Sequence, residues 1–129
     1  MAKARQFTIA LDNRPGAVAD VVKILGDAKV NIRALSASAQ GAAGTVHLIA
    51  EDARRAKKAL DDARISYQET PADEYELPNK PGALAQCLEK LAAKNVNLSS
   101  IYATATAGGK RAIVICAAEP EVKARSATA

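Results

Sequence analysis

Tryptophan is absent from the 129 residues, phenylalanine, methionine and histidine occur once each, and three tyrosines complete the aromatic set. Phe7, Tyr67, Tyr75 and Tyr102 are too few and too scattered to make a stacking platform, so any core must be aliphatic. The two cysteines, Cys87 and Cys116, form no CxxC pair and sit among aliphatic residues. They read as buried free thiols rather than as a disulfide or a metal site. No apolar run approaches the roughly 20 residues that span a bilayer. The opening Met1-Ala2-Lys3-Ala4-Arg5-Gln6 has no apolar stretch of the kind a secretory leader carries. These absences point to a cytoplasmic protein with no membrane partner.

Catalytic constellations are missing as well. His47 is the single histidine and lies in an aliphatic run, Ser36 and Ser38 have no glycine elbow, and no acid pairs with His47 at a recognisable spacing. Asp61 and Asp62 fall on a highly charged helical face, which reads as solvated. No phosphate loop or metal cluster appears, so neither an enzyme nor a cofactor is implied. The net charge of +4 gives at most a weak preference for anions. What the chain does have is 49% hydrophobic residues, enough to build a packed core.

The chain also repeats itself. At a shift of 66 residues, Asn13-Arg14-Pro15-Gly16-Ala17-Val18-Ala19 lies over Asn79-Lys80-Pro81-Gly82-Ala83-Leu84-Ala85, with five identities. The match continues through Leu25 on Leu91 and Val30-Asn31-Ile32 on Val96-Asn97-Leu98. In the same frame Val46-His47-Leu48-Ile49 overlays Ala112-Ile113-Val114-Ile115.

Within the first copy, Phe7, Ile9 and Leu11 alternate as in a strand over 6–11. Val18, Val21, Val22 and Leu25 share one helical face after the Pro15-Gly16 break. Pro15 suits a first helical turn, and Asn13 is expected to cap it. Residues 32–39 and 44–50 read as strands joined by a turn at Gln40-Gly41-Ala42-Ala43, with a hairpin of matching length at Gly108-Gly109. Residues 51–64 form a second amphipathic helix with Ala53, Ala56, Leu60 and Ala63 inward, and 66–70 a closing strand. Tyr75 to Leu77 opens the second copy.

The fold class is therefore α+β: ferredoxin-like βαββαβ units in tandem, each an antiparallel sheet with its helices on one face. The first domain is expected at 1–71. The second, at 72–129, is truncated at its C-terminus, with the boundary at Pro71 to Asp73. The tail has room only for a short helix from Pro120 to about Arg125, and the missing edge strand must be supplied from elsewhere or dispensed with.

The β-α-β-β frame, with Asn-(Arg/Lys)-Pro-Gly-Ala after the first strand and Val-Asn-(Ile/Leu) opening the second, resembles the ACT domain in both halves. The resemblance implies paired domains with a small amino acid bound between them, and a regulatory protein that serves a metabolic enzyme.

The physics of the motif agrees. A helix start offers unpaired N–H groups and the positive end of a dipole to a carboxylate. The candidate ligand-binding residues are Asn13, Arg14, Pro15, Gly16 and Ala17 in the first loop and Asn79, Lys80, Pro81, Gly82 and Ala83 in the second. By the resemblance, Asn31 and Ile32, with Asn97 and Leu98, join them. The alternative is a ligand-free interaction module that regulates a partner enzyme. An unpaired edge predicts a homodimer in either case. Nucleic acid is excluded, because 46–50 and 112–116 lack the aromatics on which bases stack.

Overall fold

The computed structural model describes residues 2–105 and 107–118, so the short helix expected from Pro120 to Arg125 lies outside the described residues. The chain divides into two compact units, Arg5–Thr70 and residues 2–4 together with 71–118. In order, the elements are β1 (Ala2–Asp12), α1 (Ala17–Asp27), β2 (Ile32–Gln40), β3 (Ala43–Ala50), α2 (Ala53–Asp62), β4 (Gln68–Pro78), α3 (Ala83–Ala93), β5 (Leu98–Ala105) and β6 (Arg111–Ala118).

In the Arg5–Thr70 unit, β3 is the central partner of two antiparallel ladders, to β1 on one side and β2 on the other. The first residues of β4 flank β1. Alternation puts Phe7 and Ile9 of β1, with Val46, Leu48 and Ala50 of β3, on one face of this sheet. Val21 and Leu25 of α1 and Ala56 and Leu60 of α2 close over that face, making one aliphatic core around Phe7. Fully burying each large side chain there is worth about 1.5–3 kcal/mol. Tyr67 meets Phe7 edge-on, with ring centroids 5.4 Å apart. The start of α2 is fixed by Asp52, whose carboxylate accepts the Arg55 N–H at 3.0 Å.

The second unit repeats β-α-β-β as β4, α3, β5 and β6, with both ladders antiparallel. The strands expected at 66–70 and 75–77 are one continuous strand, β4, which passes from the first unit to the second at Thr70/Pro71 with no intervening loop. The edge strand that the second copy lacks is supplied by residues 2–4 at the start of β1, next to β4, with Lys3 Nζ bonded to Asp73 Oδ1 at 3.0 Å. Asp73 occupies the position that Phe7 holds in the first copy. No counterpart of α2 covers it among the described residues, so a half-exposed ion pair stands where a buried ring would otherwise sit.

The second hairpin is longer than the first, contrary to the matching lengths expected. Leu11 pairs with Gly44, but Leu77 pairs with Ala112, so β6 is offset from β3 by 68 residues rather than 66. Gly44 thus corresponds to Ala112, and Val46 to Val114. Because a strand alternates with period two, the two extra residues leave every side chain on its face, which is why the aliphatic pattern alone did not reveal them.

Candidate functional site

The two Pro-Gly loops are built alike. Asn13 receives no helix to cap; its backbone N–H donates to Ala42 O at 2.9 Å and its side-chain Nδ2 to Gly41 O at 2.8 Å, tying the loop to the β2–β3 turn. Asn79 does the same to Lys110 O and Gly109 O, both at 2.9 Å. The residue preceding the helix is instead Gly16, or Gly82 in the second copy, with φ of 87° and 88° and no side-chain cap. A side chain at that left-handed φ costs about 1–2 kcal/mol, which explains the glycine in both copies.

This helix start leaves donors open. Ala17 N–H bonds Arg14 O at 3.2 Å and Ala83 N–H bonds Lys80 O at 3.3 Å, while the next helical bonds begin at Asp20 and Gln86. Among the described residues no acceptor meets the N–H groups of Val18 and Ala19, or of Leu84 and Ala85. Asn13 to Gly16 and Asn79 to Gly82 are exposed, and only Ala17 and Ala83 are buried.

The loops differ in their cations. The Arg14 guanidinium is held to Asp20 Oδ2 at 2.9 Å and to its neighbour Pro15 O at 3.2 Å. The residue corresponding to Asp20 in the second copy is the neutral Gln86, and no such bond to Lys80 forms there. The Arg14–Asp20 pair is solvent-exposed and contributes little to stability. Its effect is to neutralise the charge beside the first loop.

The structure does not bring Asn31 and Ile32 to the loop of their own unit. Strands β1 and β2 are both antiparallel to β3 and so run the same way; the loop follows the end of β1, whereas Asn31 precedes the start of β2. The length of β2 separates them, about 26 Å at ~3.3 Å per residue. Asn31 is occupied there, with Nδ2 donating to Glu51 Oε2 at 3.3 Å and its carbonyl accepting the Glu51 N–H at 2.8 Å. Asn97 likewise precedes β5 and Leu98 begins it, at the end of the second unit away from Asn79.

Two clefts flank the first loop. One, of about 230 Å³, lies between Asp12 to Arg14, Ala17 and Val18 on one side and Ala37 to Ala39 with Gly44 to Val46 on the other. The second, of about 390 Å³, runs along α1 past Asp20, Ile24 and Ile65. In the second unit a cleft of about 340 Å³ lies along α3, bordered by Tyr75, Cys87, Lys90 and Leu91. Sequence reasoning missed Asp12 and Asp20. The legible sign was that their positions read Pro78 and Gln86 in the other copy.

His47 is half-buried on the face away from the helices, with Nδ1 3.1 Å from Thr8 Oγ1; burial lowers its pKa below the ordinary value. Both cysteines are free and buried. Burial, with Cys87 close by, pushes the Cys116 thiol up to about 11, so it stays protonated and unreactive at neutral pH.

A profile of the ACT domain pair matches residues 2–128. The chain belongs to the ACT domain pair family. A solved structure, protein BT0572 from Bacteroides thetaiotaomicron, is 30% identical over 94% of this chain and 83% of its own, with a TM-score of 0.82. The regulatory subunit of aspartate kinase from Thermus thermophilus, in a ligand-free form, shares the fold at 18% identity and a TM-score of 0.67, over 89% of this chain and 82% of its own. That from Thermus flavus does so at 18% and 0.61, over 88% and 82%. Among proteins of curated function no sequence matches significantly. The ACT pair accounts for the repeated β-α-β-β order. No helix among the described residues is long and apolar enough to cross a membrane.

Proposed function

We propose that this ACT domain pair is a cytoplasmic regulatory protein that binds a small amino acid at a Pro-Gly loop and conveys its occupancy to a metabolic enzyme. One observation carries the reading: first-turn N–H groups of α1 and α3 stand without acceptors behind exposed loops, in the right place for a carboxylate. Loop residues Asn13 to Ala17 and Asn79 to Ala83 shape the two candidate sites. Asn31, Ile32, Asn97 and Leu98 lie too far from the loop of their own unit, so they reach a ligand only where another unit meets that loop, as a homodimer would allow. The family and the regulatory subunits that share the fold support a sensor rather than a catalyst. Calorimetric titration with the common amino acids tests it. Binding in the micromolar to millimolar range is expected, and no heat at millimolar ligand removes the reading.

A second reading, a dimerisation module without ligand, has one observation in its favour. The β5 edge, Leu98–Ala105, carries neither charge nor proline to deter pairing, and its Ile101 is 40% exposed. Light scattering separates the two: dimerisation that no amino acid alters favours the module, and a dimer that shifts with ligand favours the sensor.

A further inference from the structure

In the first unit α2 packs against α1; in the second no described helix stands beside α3. At the shift of 66, Val21, Ile24, Leu25 and Ala28 of α1 become Cys87, Lys90, Leu91 and Lys94 of α3. Val21, Leu25 and Ala28 share one core with Ala56 and Leu60 of α2, and Ile24 borders the same cleft as Ile65, just past the end of that helix. Their counterparts border an open cleft of about 340 Å³ instead, floored by Tyr75 and Leu77 of β4 with Cys87 and Leu91. Leu25 and Ile9 are fully buried, whereas Leu91 and Tyr75 at the same positions of the second copy are only half-buried. Apolar surface that a helix seals in one copy is left open in the other.

The length of this groove and its charge describe what fits it. Its wall, Ala83–Ala93, is 11 residues of helix, about 16 Å at the standard rise, and the same place in the first copy holds the 10 residues of α2. The rim is cationic: no acid borders the cleft, Gln86 stands where α1 has Asp20, and both lysines are exposed. Lys90 and Lys94 form no ion pair among the described residues, unlike Lys23 of α1 with its Asp27. Lysines four apart lie one above the other on a helix face, so they meet acids at the same spacing on a facing helix.

We propose that the groove along α3 docks an amphipathic helix of a partner protein, with its apolar side on Tyr75, Leu77, Cys87 and Leu91 and acids four residues apart against Lys90 and Lys94. The partner's helix takes the place that α2 holds in the first copy. This goes beyond the amino-acid reading and holds with or without a ligand at the Pro-Gly loops.

The probe is the chain's own segment 51–64 as a fluorescent peptide, carrying Arg54→Glu, Arg55→Glu, Lys57→Glu and Lys58→Glu, titrated with the full chain in the absence of amino acids. Fluorescence anisotropy is expected to show it binding at least tenfold more tightly than either the unmodified basic peptide or a scrambled peptide of the same acidic composition. Lys90→Glu combined with Lys94→Glu reverses the preference between acidic and basic peptides; both positions are exposed, so the variant folds. Cys87 reports the place, because the bound acidic peptide slows its reaction with a thiol reagent severalfold. No binding at millimolar chain, equal binding of the scrambled peptide, or indifference to the lysine changes overturns the proposal. So does binding that appears only once residues 119–129 are deleted, which would give the groove to the chain's own end, or only on dissociation of a dimer, which would give it to a second copy. None of these outcomes touches the sensor reading, which the amino-acid titration tests separately.

Discussion

Single residues decide the stability of the loops and the titration of the sheet. At φ of 88° Gly82 tolerates no side chain cheaply, although nothing lies within 4 Å of where a Cβ would be. Gly82→Ala should therefore cost about 1–2 kcal/mol from backbone strain alone, measurable by urea unfolding; a neutral result would show that the turn relaxes. His47 supplies a pH signature. Its folded pKa lies below the unfolded value of 6.5, so the unfolded chain binds the extra proton first. Stability should hold above that pH and fall as pH drops through 6.5 toward the folded pKa. A His47→Gln variant should lack this loss in melts recorded between about pH 7 and 5. Several residue roles were beyond sequence reasoning. Asn13 looked like a helix cap because capping and turn-tying use the same amide, and only the position of the hairpin carbonyl, Gly41 O, selects between them.

At the scale of elements, α2 is held by its buried side and opposed by its charges. Leu60 is fully buried, so Leu60→Ala should destabilise the first unit by about 2–5 kcal/mol, read from the denaturation midpoint. The exposed side has no acid in the first turn and no base in the last; Arg54 and Arg55 crowd the positive end of the dipole and Asp61 and Asp62 the negative end. Arg54→Glu should raise stability by about 0.3–1 kcal/mol at low salt, and the gain should shrink as salt is added. A lowered melting temperature would sink this account. The helix itself was legible from its alanine and leucine spacing, but its ends were overextended by two residues on each side, because the charged flanks continue the same pattern.

At the scale of the molecule, the start of the chain completes the second unit. Residues 2–4 flank β4, and Lys3 meets Asp73. Deleting residues 1–4 should loosen the second unit selectively. Cys87 and Cys116 both lie in that unit, so a thiol reagent reads this directly: their labelling should accelerate severalfold while the first unit's unfolding midpoint holds. Unchanged labelling would mean that β4 needs no neighbour on that side.

The sequence by itself determined the repeat, the β-α-β-β order and a helix after each Pro-Gly break, because periodicity and turn residues are local and leave residue-by-residue traces; that Gly16, and not Asn13, precedes α1 and leaves Pro15 outside it came from the structure. Tertiary structure alone decided that β4 passes unbroken between the units, that residues 2–4 serve the second of them, that the second hairpin is two residues longer, and that Asn31 lies a strand's length from the loop. These depend on which strands pair and in which direction, and pairing between distant segments leaves no periodic mark on either one.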